Sequence, residues 1–168
     1  NVTKRFKLKI PFIAANMASS CANKGGSSVF VVHRDFILEQ TSLTYSDLGL
    51  QHSFIASGRE METIARTHIG MVGSMKSRMN LIPAPTICFI DEGHHGTAKT
   101  WNDIIQAWPD TTFLFLSATP HRSDKIGLDQ LCDDIVLGPS NADLIRLGAL
   151  SDYHYFTPSK PDLSNGRA

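Results

Sequence analysis

The residues best suited to chemistry are two adjacent carboxylates, Asp91 and Glu92, inside the sequence TICFIDEGHH of residues 86–95. The apolar run before them does not alternate with polar residues, which predicts a strand buried on both faces, as in a parallel sheet. Ligands of open α/β sheets bind just beyond the carboxyl ends of such strands. One carboxylate there can hold a divalent cation, and its neighbour can orient or deprotonate a water that attacks a phosphate.

A second apolar strand is predicted at Phe113–Leu116 and runs directly into Ser117-Ala118-Thr119-Pro120. The pair DEGH and SATP resembles motifs II and III of superfamily 2 helicases and translocases, in the DExH branch. Either tetrapeptide alone is a weak signal. Both together, in this order and at the ends of apolar strands, are a strong one.

The resemblance extends from Val29 to about Leu163 and is greatest to the restriction-type DEAD/DEAH-box helicases of bacteria and phages. It implies ATP and Mg²⁺ as cofactors, with Asp91 coordinating the Mg²⁺ of Mg-ATP and Glu92 activating the hydrolytic water. His94 would couple this site to motif III. The residues implied to relay between ATP and nucleic acid are Ser117, Ala118 and Thr119.

Two further segments resemble the family's nucleic-acid-contacting motifs. VVHRDFILEQT (residues 31–41) resembles motif Ia, and VGSMKSR (residues 72–78) stands where the family carries motif Ib. The contacts implied with a DNA or RNA backbone are Arg34, Gln40, Ser74, Lys76 and Arg78. Arginine matches phosphate oxygens in a fork, although a solvated surface arginine explains Arg34 and Arg78 equally well when each is taken singly.

The segment before the first predicted helix departs from the family. A helicase domain of this kind carries a phosphate loop, G-x-x-x-x-G-K-S/T, whose backbone N–H groups cradle the phosphates. No glycine lies between Asn1 and Lys24, and Lys9 stands near the position of the family's phosphate-binding lysine. We therefore expect little or no ATPase activity from this chain alone, the more so because a second RecA-like domain is expected to be missing.

Composition limits the alternatives. Sixteen basic residues balance sixteen acidic ones in 168 residues, so net charge gives no general attraction to nucleic acid or membrane. Three cysteines without metal-binding spacing indicate reduced thiols in a cytoplasmic protein, and no apolar run predicts a membrane span or signal peptide. A zinc site of Asp91 with His94, His95 and His121 lacks the usual ligand spacing.

Strands that alternate with helices predict an α/β fold, a doubly wound parallel sheet in three α/β/α layers. By resemblance this is a RecA-like domain, which we expect over residues 1–157, with a flexible tail at 158–168. Arg5–Ile10 alternates basic and apolar residues and predicts an edge strand, or a central one if it replaces the phosphate-loop strand. A cap at Ser74 and a strand at Ile135–Leu137 are also predicted.

Two functional hypotheses remain. The first is the N-terminal motor domain of an ATP-dependent helicase or translocase, active only together with its missing parts. The second is a non-catalytic RecA-like module that binds a partner or self-associates through an apolar surface. The intact DEGH and SATP favour the first hypothesis, and the absent phosphate loop favours the second.

Overall fold

Five parallel strands form one sheet in the order β2-β3-β1-β4-β5. The structure is a computed structural model that describes residues 10–92, 98–117 and 132–152. The strands are β1 (Ser28–Val32), β2 (Ser53–Ile55), β3 (Thr67–Met71), β4 (Ile87–Asp91) and β5 (Thr112–Leu116). This sheet, with helices on its faces, confirms the predicted doubly wound α/β architecture.

The helices alternate with the strands along the chain. They are α1 (Ile10–Asn23), α2 (Asp35–Asp47), α3 (Val72–Arg78), α4 (Ala98–Ala107) and α5 (Asn141–Arg146), and α3 continues into a 3-10 turn at Met79–Leu81. No helix within the described residues is long and apolar enough to cross a membrane.

The central strand β1 shows how the sheet holds two helix layers. Its side chains point alternately to opposite faces, so Val29 and Val31 pack with α3 and α4, while Phe30 and Val32 pack with α1 and α2. All five β1 residues are buried. The uninterrupted apolar run is therefore explained by cover on both faces.

Two local predictions are wrong. Ser74 does not cap α3, because the helix begins at Val72 with Met71 in the capping position. Residues 135–137 form no strand: they lie in irregular structure, and Val136 is 94% exposed. An apolar run forms a strand only where a neighbouring strand can satisfy its backbone hydrogen bonds.

The chain divides into two compact units, residues 1–132 and 133–168. In the second unit Ser140 begins α5 with a capping box, in which its Oγ accepts from the Asp143 N–H and the Asp143 carboxylate accepts from the Ser140 N–H. Gly148 follows the helix at φ +69°, a conformation that suits glycine. The extent of the domain to residue 157 and the tail at 158–168 involve residues outside the described part of the chain and stay predictions. The strand predicted over Arg5–Ile10 also lies outside it except for Ile10, which is wrong as a strand residue because it is the first residue of α1.

Candidate functional site

Asp91 is the last residue of β4 and lies at the carboxyl edge of the sheet, in register with Leu116 of β5. Phe89, two residues earlier, packs in the core beneath α1 and α2. Strand alternation therefore places Asp91 on the same face, beside α1. Asp91 is only 7% exposed, so its carboxylate is held in a defined position at the point where the sequence predicted it.

Glu92 leaves the sheet in an unusual backbone conformation. Its φ is +50°, and it is the one non-glycine residue with positive φ in the described part of the chain. Its N–H donates to the Leu116 carbonyl at 2.8 Å, which fixes the backbone turn against β5. A side chain in this left-handed region costs about 1–2 kcal/mol, and such strain concentrates at functional sites.

The strand register shows which residues stand on either side of Glu92. Ser117 comes directly after Leu116, so it stands beside Glu92 just beyond the sheet, and continuing the pairing of Val31 with Ile90 brings His33 to the other side of Glu92. His94, Ala118 and Thr119 lie outside the described residues. Their predicted roles, like those of Asp91, Glu92 and Ser117, stay predictions.

A cavity of about 400 Å³ opens at this edge and joins two groups that the sequence assigned to separate tasks. Its lining comprises Ile10, Pro11, His33, Arg34, Ile37, Gln40, Asp91 and Glu92. Asp91 and Glu92 were expected to act on ATP, whereas Arg34 and Gln40 were expected to touch nucleic acid. The fold brings all four to one cavity.

The helix starts shape the walls of this cavity. Pro11 is buried in the first turn of α1, where its missing N–H removes no helical hydrogen bond. Arg34 is the N-cap of α2, with extended backbone angles of −128° and 137°, and its carbonyl accepts from the Ile37 and Leu38 N–H groups. Both helices therefore begin at the sheet edge that carries Asp91.

His33 is a cavity residue that the sequence reasoning did not assign to the site. It follows the buried β1 strand directly and is half-buried. The signal was present in the sequence, since a polar residue immediately after a fully apolar strand lies at the edge where α/β sheets bind ligands.

The predicted motif Ib residues, Ser74, Lys76 and Arg78, are not among the residues that line the cavity at Asp91. Arg78 donates through Nη1 to the Ala56 carbonyl at 2.6 Å, so its guanidinium ties α3 to the segment after β2. Lys76 is exposed and Ser74 is half-buried on the same helix. Contact of these three residues with nucleic acid stays a prediction, and for Arg78 the solvated alternative is replaced by a structural hydrogen bond.

A larger cavity of about 500 Å³ lies at the opposite, amino edge of the sheet, with Ser27, Arg66 and His68 among its lining residues. We place the candidate site at the smaller cavity because it holds the paired carboxylates. His68 is buried and its Nε2 lies 2.8 Å from the Glu62 carbonyl. Burial lowers the pKa of His68, which favours the neutral ring there.

No group of three or more histidine, cysteine, aspartate or glutamate side chains suited to a metal ion occurs within residues 10–92, 98–117 and 132–152. The zinc alternative depends on His94, His95 and His121, which lie outside those ranges. Lys9, the expected phosphate-binding lysine, also lies outside them.

Comparison with known proteins gives a consistent result. The model of the family described as ResIII, "Type III restriction enzyme, res subunit", matches residues 11–122. The chain is also similar to the "51.5 kDa protein" of Lactococcus phage (isolate 7-9), with 28% identity over 155 residues that cover 92% of this chain and 32% of the relative. The chain thus spans about a third of the curated relative that it matches.

Two solved structures share the fold. The UvsW helicase from bacteriophage T4 matches with a TM-score of 0.59 and 19% identity, over 72% of this chain and 46% of UvsW. A second T4 UvsW structure matches with a TM-score of 0.52 and 17% identity, over 62% of this chain and 24% of that one. At this identity the likeness shows a common fold.

Proposed function

The chain belongs to the type III restriction enzyme res subunit family, and from this premise we propose that it is the N-terminal motor domain of a superfamily 2 helicase or translocase. Its RecA-like fold is that of a helicase domain. The finer proposal is that the domain binds Mg-ATP at the carboxyl edge of its sheet and acts on a DNA or RNA backbone in the cytoplasm.

The observation that carries this proposal is the cavity shared by Asp91, Glu92, Arg34 and Gln40. Carboxylate oxygens are the ligands that Mg²⁺ prefers, and a basic side chain beside them complements phosphate. The residues present therefore suit a magnesium–nucleotide complex, which when bound would supply the phosphoanhydride bond whose hydrolysis drives movement.

The roles of the chain's own residues follow from their positions. The Asp91 carboxylate would hold the cation, because it is fixed at the end of β4 and nearly enclosed. Glu92 would orient a water and accept its proton, because the left-handed turn directs this residue away from the strand. Ser117, which is adjacent in register, would respond to the state of the site.

The proposed partners are a nucleic-acid backbone and a second RecA-like domain. Phosphoryl-transfer sites depend on groups that surround the transferred phosphate, including arginines supplied from elsewhere. We therefore expect this chain to bind nucleotide but to hydrolyse it slowly unless a second domain is added.

Calorimetric titration of Mg-ATP tests the proposal. The wild-type chain should bind at micromolar concentration, and Asp91→Ala should weaken binding roughly a hundredfold, since a metal-held phosphate contact contributes several kcal/mol. Asp110→Ala is the matched control because Asp110 is exposed and follows α4 outside the cavity lining. Absence of Mg-ATP binding by the wild-type chain would refute the proposal.

One sequence observation favours a second candidate, a non-catalytic RecA-like binding or oligomerising module. No glycine lies between Asn1 and Lys24, and the family match begins at residue 11. Under this alternative the wild-type chain would bind no Mg-ATP, yet would associate with itself in sedimentation velocity or bind a nucleic acid. A nucleotide-free monomer that binds neither DNA nor RNA would contradict both candidates.

A further inference from the structure

We propose that Arg34, supported by Gln40, contacts the nucleotide's phosphates in this chain and supplies the positive charge that a phosphate-loop lysine would otherwise provide. This inference rests on the proposed function and deepens it. It changes the expected role of Arg34, which the resemblance to motif Ia assigned to a nucleic-acid backbone.

The basic side chains within residues 10–92 differ in whether they already have a partner. Three arginines already have partners: Arg59 pairs with Glu39 and lies 3.8 Å from Asp35, Arg66 donates to the Gly25 carbonyl, and Arg78 donates to the Ala56 carbonyl. The remaining ones in this range are Lys24, Arg34 and Lys76. Only Arg34 among these six lines the cavity that holds Asp91 and Glu92.

The paired carboxylates at the cavity also require a positive group if a phosphate is to bind beside them. Two adjacent carboxylates attract a cation but repel the phosphates that accompany it, so a site for magnesium and phosphate together needs an opposing positive group. Arg34 is exposed and makes no ion pair or side-chain hydrogen bond with any described residue. Its guanidinium is therefore available for a bidentate contact with phosphate oxygens.

The acidic residues nearest to Arg34 along α2 do not cancel this charge. Asp35 and Glu39 both face Arg59, which also lies over the Phe54 ring at 4.9 Å. The Arg59 guanidinium thus neutralises part of the negative charge at the start of α2. Arg34 and Gln40 line the cavity, whereas Asp35 and Glu39 are not among its lining residues.

The helical spacing adds Gln40 to the same contact surface. Arg34, Ile37 and Gln40 follow one another at intervals of three residues, so they lie along one side of α2, and all three line the cavity. The half-buried Gln40 amide can donate to a phosphate oxygen. An uncharged amide beside an arginine can orient a bound phosphate through this hydrogen bond, and it adds no charge that would repel the guanidinium.

The sequence before α1 also supports a role for side chains in phosphate binding. A glycine-rich loop binds phosphate mainly through backbone N–H groups, and residues 1–9 contain no glycine. Phosphate recognition in this chain must then depend more heavily on side chains. The structure offers one unpartnered arginine for that purpose, within the described residues, at the cavity that holds the carboxylates.

Two titrations test the assignment, one with Mg-ATP by calorimetry and one with a short oligothymidylate by fluorescence anisotropy. Arg34→Gln should weaken Mg-ATP binding roughly tenfold to a hundredfold, the effect of losing a charge-assisted contact. Arg34→Lys should retain part of the affinity, because the charge remains and the fork is lost. Lys24→Gln, a matched charge removal at an exposed residue that follows α1 outside the cavity lining, should leave Mg-ATP binding unchanged.

The outcomes separate this inference from the proposed function. A wild-type chain that binds no Mg-ATP overturns both. If the wild-type chain binds Mg-ATP and Arg34→Gln binds it equally tightly, the inference alone is overturned. The same holds if Arg34→Gln weakens only the binding of oligothymidylate. A large loss in Lys9→Gln with none in Arg34→Gln would assign the phosphate contact to Lys9. Equal thermal unfolding midpoints of wild type and Arg34→Gln, expected for an exposed residue, show that the fold is retained.

Discussion

The polar groups at the amino edge of the five-stranded sheet have different surroundings from those at its carboxyl edge. At the amino edge, polar groups are satisfied by one another and by nearby backbone. The Ser27 N–H donates to Thr86 Oγ1 at 3.1 Å, and Thr111 Oγ1 donates to the Pro85 carbonyl at 2.6 Å. Ser28 Oγ and the Thr67 hydroxyl are 3.3 Å apart. These bonds tie the starts of four strands together.

The carboxyl edge instead concentrates charge and strain. Asp91 is almost fully buried, and Glu92 has a left-handed backbone conformation. The Arg34 guanidinium lines the cavity and forms no ion pair or side-chain hydrogen bond with a described residue. The sheet is thus stabilised by hydrogen bonds at its amino edge, while its carboxyl edge, where ligands of α/β sheets bind, holds charged side chains. Substitutions at the two edges should therefore have different consequences.

The largest expected effect is at the amino edge, in Gly26→Ala. A Cβ at this position would lie 2.6 Å from Cys21 Sγ and 2.9 Å from Thr86 Oγ1, so both of these groups, or the backbone at Gly26, must move. We expect the free energy of unfolding to fall by about 1–3 kcal/mol, measured by urea denaturation. Gly73→Ala in α3 is the control: nothing lies within 4 Å of its Cβ, and helix propensity should raise stability by about 0.5–1 kcal/mol. Equal stability of the two variants would contradict the distinction.

Thr111→Val tests whether the amino-edge hydrogen bonds contribute to stability. The substitution keeps the side-chain shape and leaves the Pro85 carbonyl without its donor, which should cost about 1–2 kcal/mol in the free energy of unfolding. Thr112→Val removes the neighbouring hydroxyl at an exposed position, and its effect should stay within about 0.5 kcal/mol. Chemical denaturation of both variants measures the difference, and similar losses would argue against a role for the bond.

Glu92 allows the strain at the carboxyl edge to be measured. Glu92→Ala removes the carboxylate and keeps a Cβ at φ +50°, whereas Glu92→Gly removes both. We expect the glycine variant to be more stable than the alanine variant by about 1 kcal/mol, the reverse of the order in ordinary structure. If alanine is the more stable, the left-handed conformation is not a source of strain.

His68 lies at the amino edge, and its titration should have the smallest effect on the free energy of unfolding. Its folded pKa is lowered by burial, an effect partly offset by the hydrogen bond to the Glu62 carbonyl. The stability that depends on the neutral ring is therefore fully present above the unfolded pKa of about 6.5 and is lost as pH falls through the folded pKa. The slope from this residue cannot exceed about 1.4 kcal/mol per pH unit.

Denaturation at several pH values between 7.5 and 5.5 measures that slope, and His68→Gln should reduce it. A variant with the same pH dependence as the wild type would assign the slope to other groups.

Much of the fold could be predicted because its signals are local and consistent. The five strands and the helices α1, α2, α4 and α5 follow from apolar runs, from periodicity and from the stops at glycine and proline, such as Pro109 after α4. The predictions that failed, at Ser74 and at 135–137, concerned short segments whose state depends on neighbours. A serine side chain caps a helix only from the N-cap position, just before the first helical residue. In α3 that position is occupied by Met71.

The amino-acid sequence alone was sufficient to predict the fold class, the position of Asp91 at a strand end, and the resemblance of DEGH and SATP to helicase motifs, because each of these signals lies in consecutive residues. Only the tertiary structure decided that Arg34 and Gln40 share a cavity with Asp91 and Glu92, while Arg78 is committed to the Ala56 carbonyl. Strand order and register bring distant segments together. No local pattern encodes which segments will meet, since that depends on how two helix layers cover one sheet.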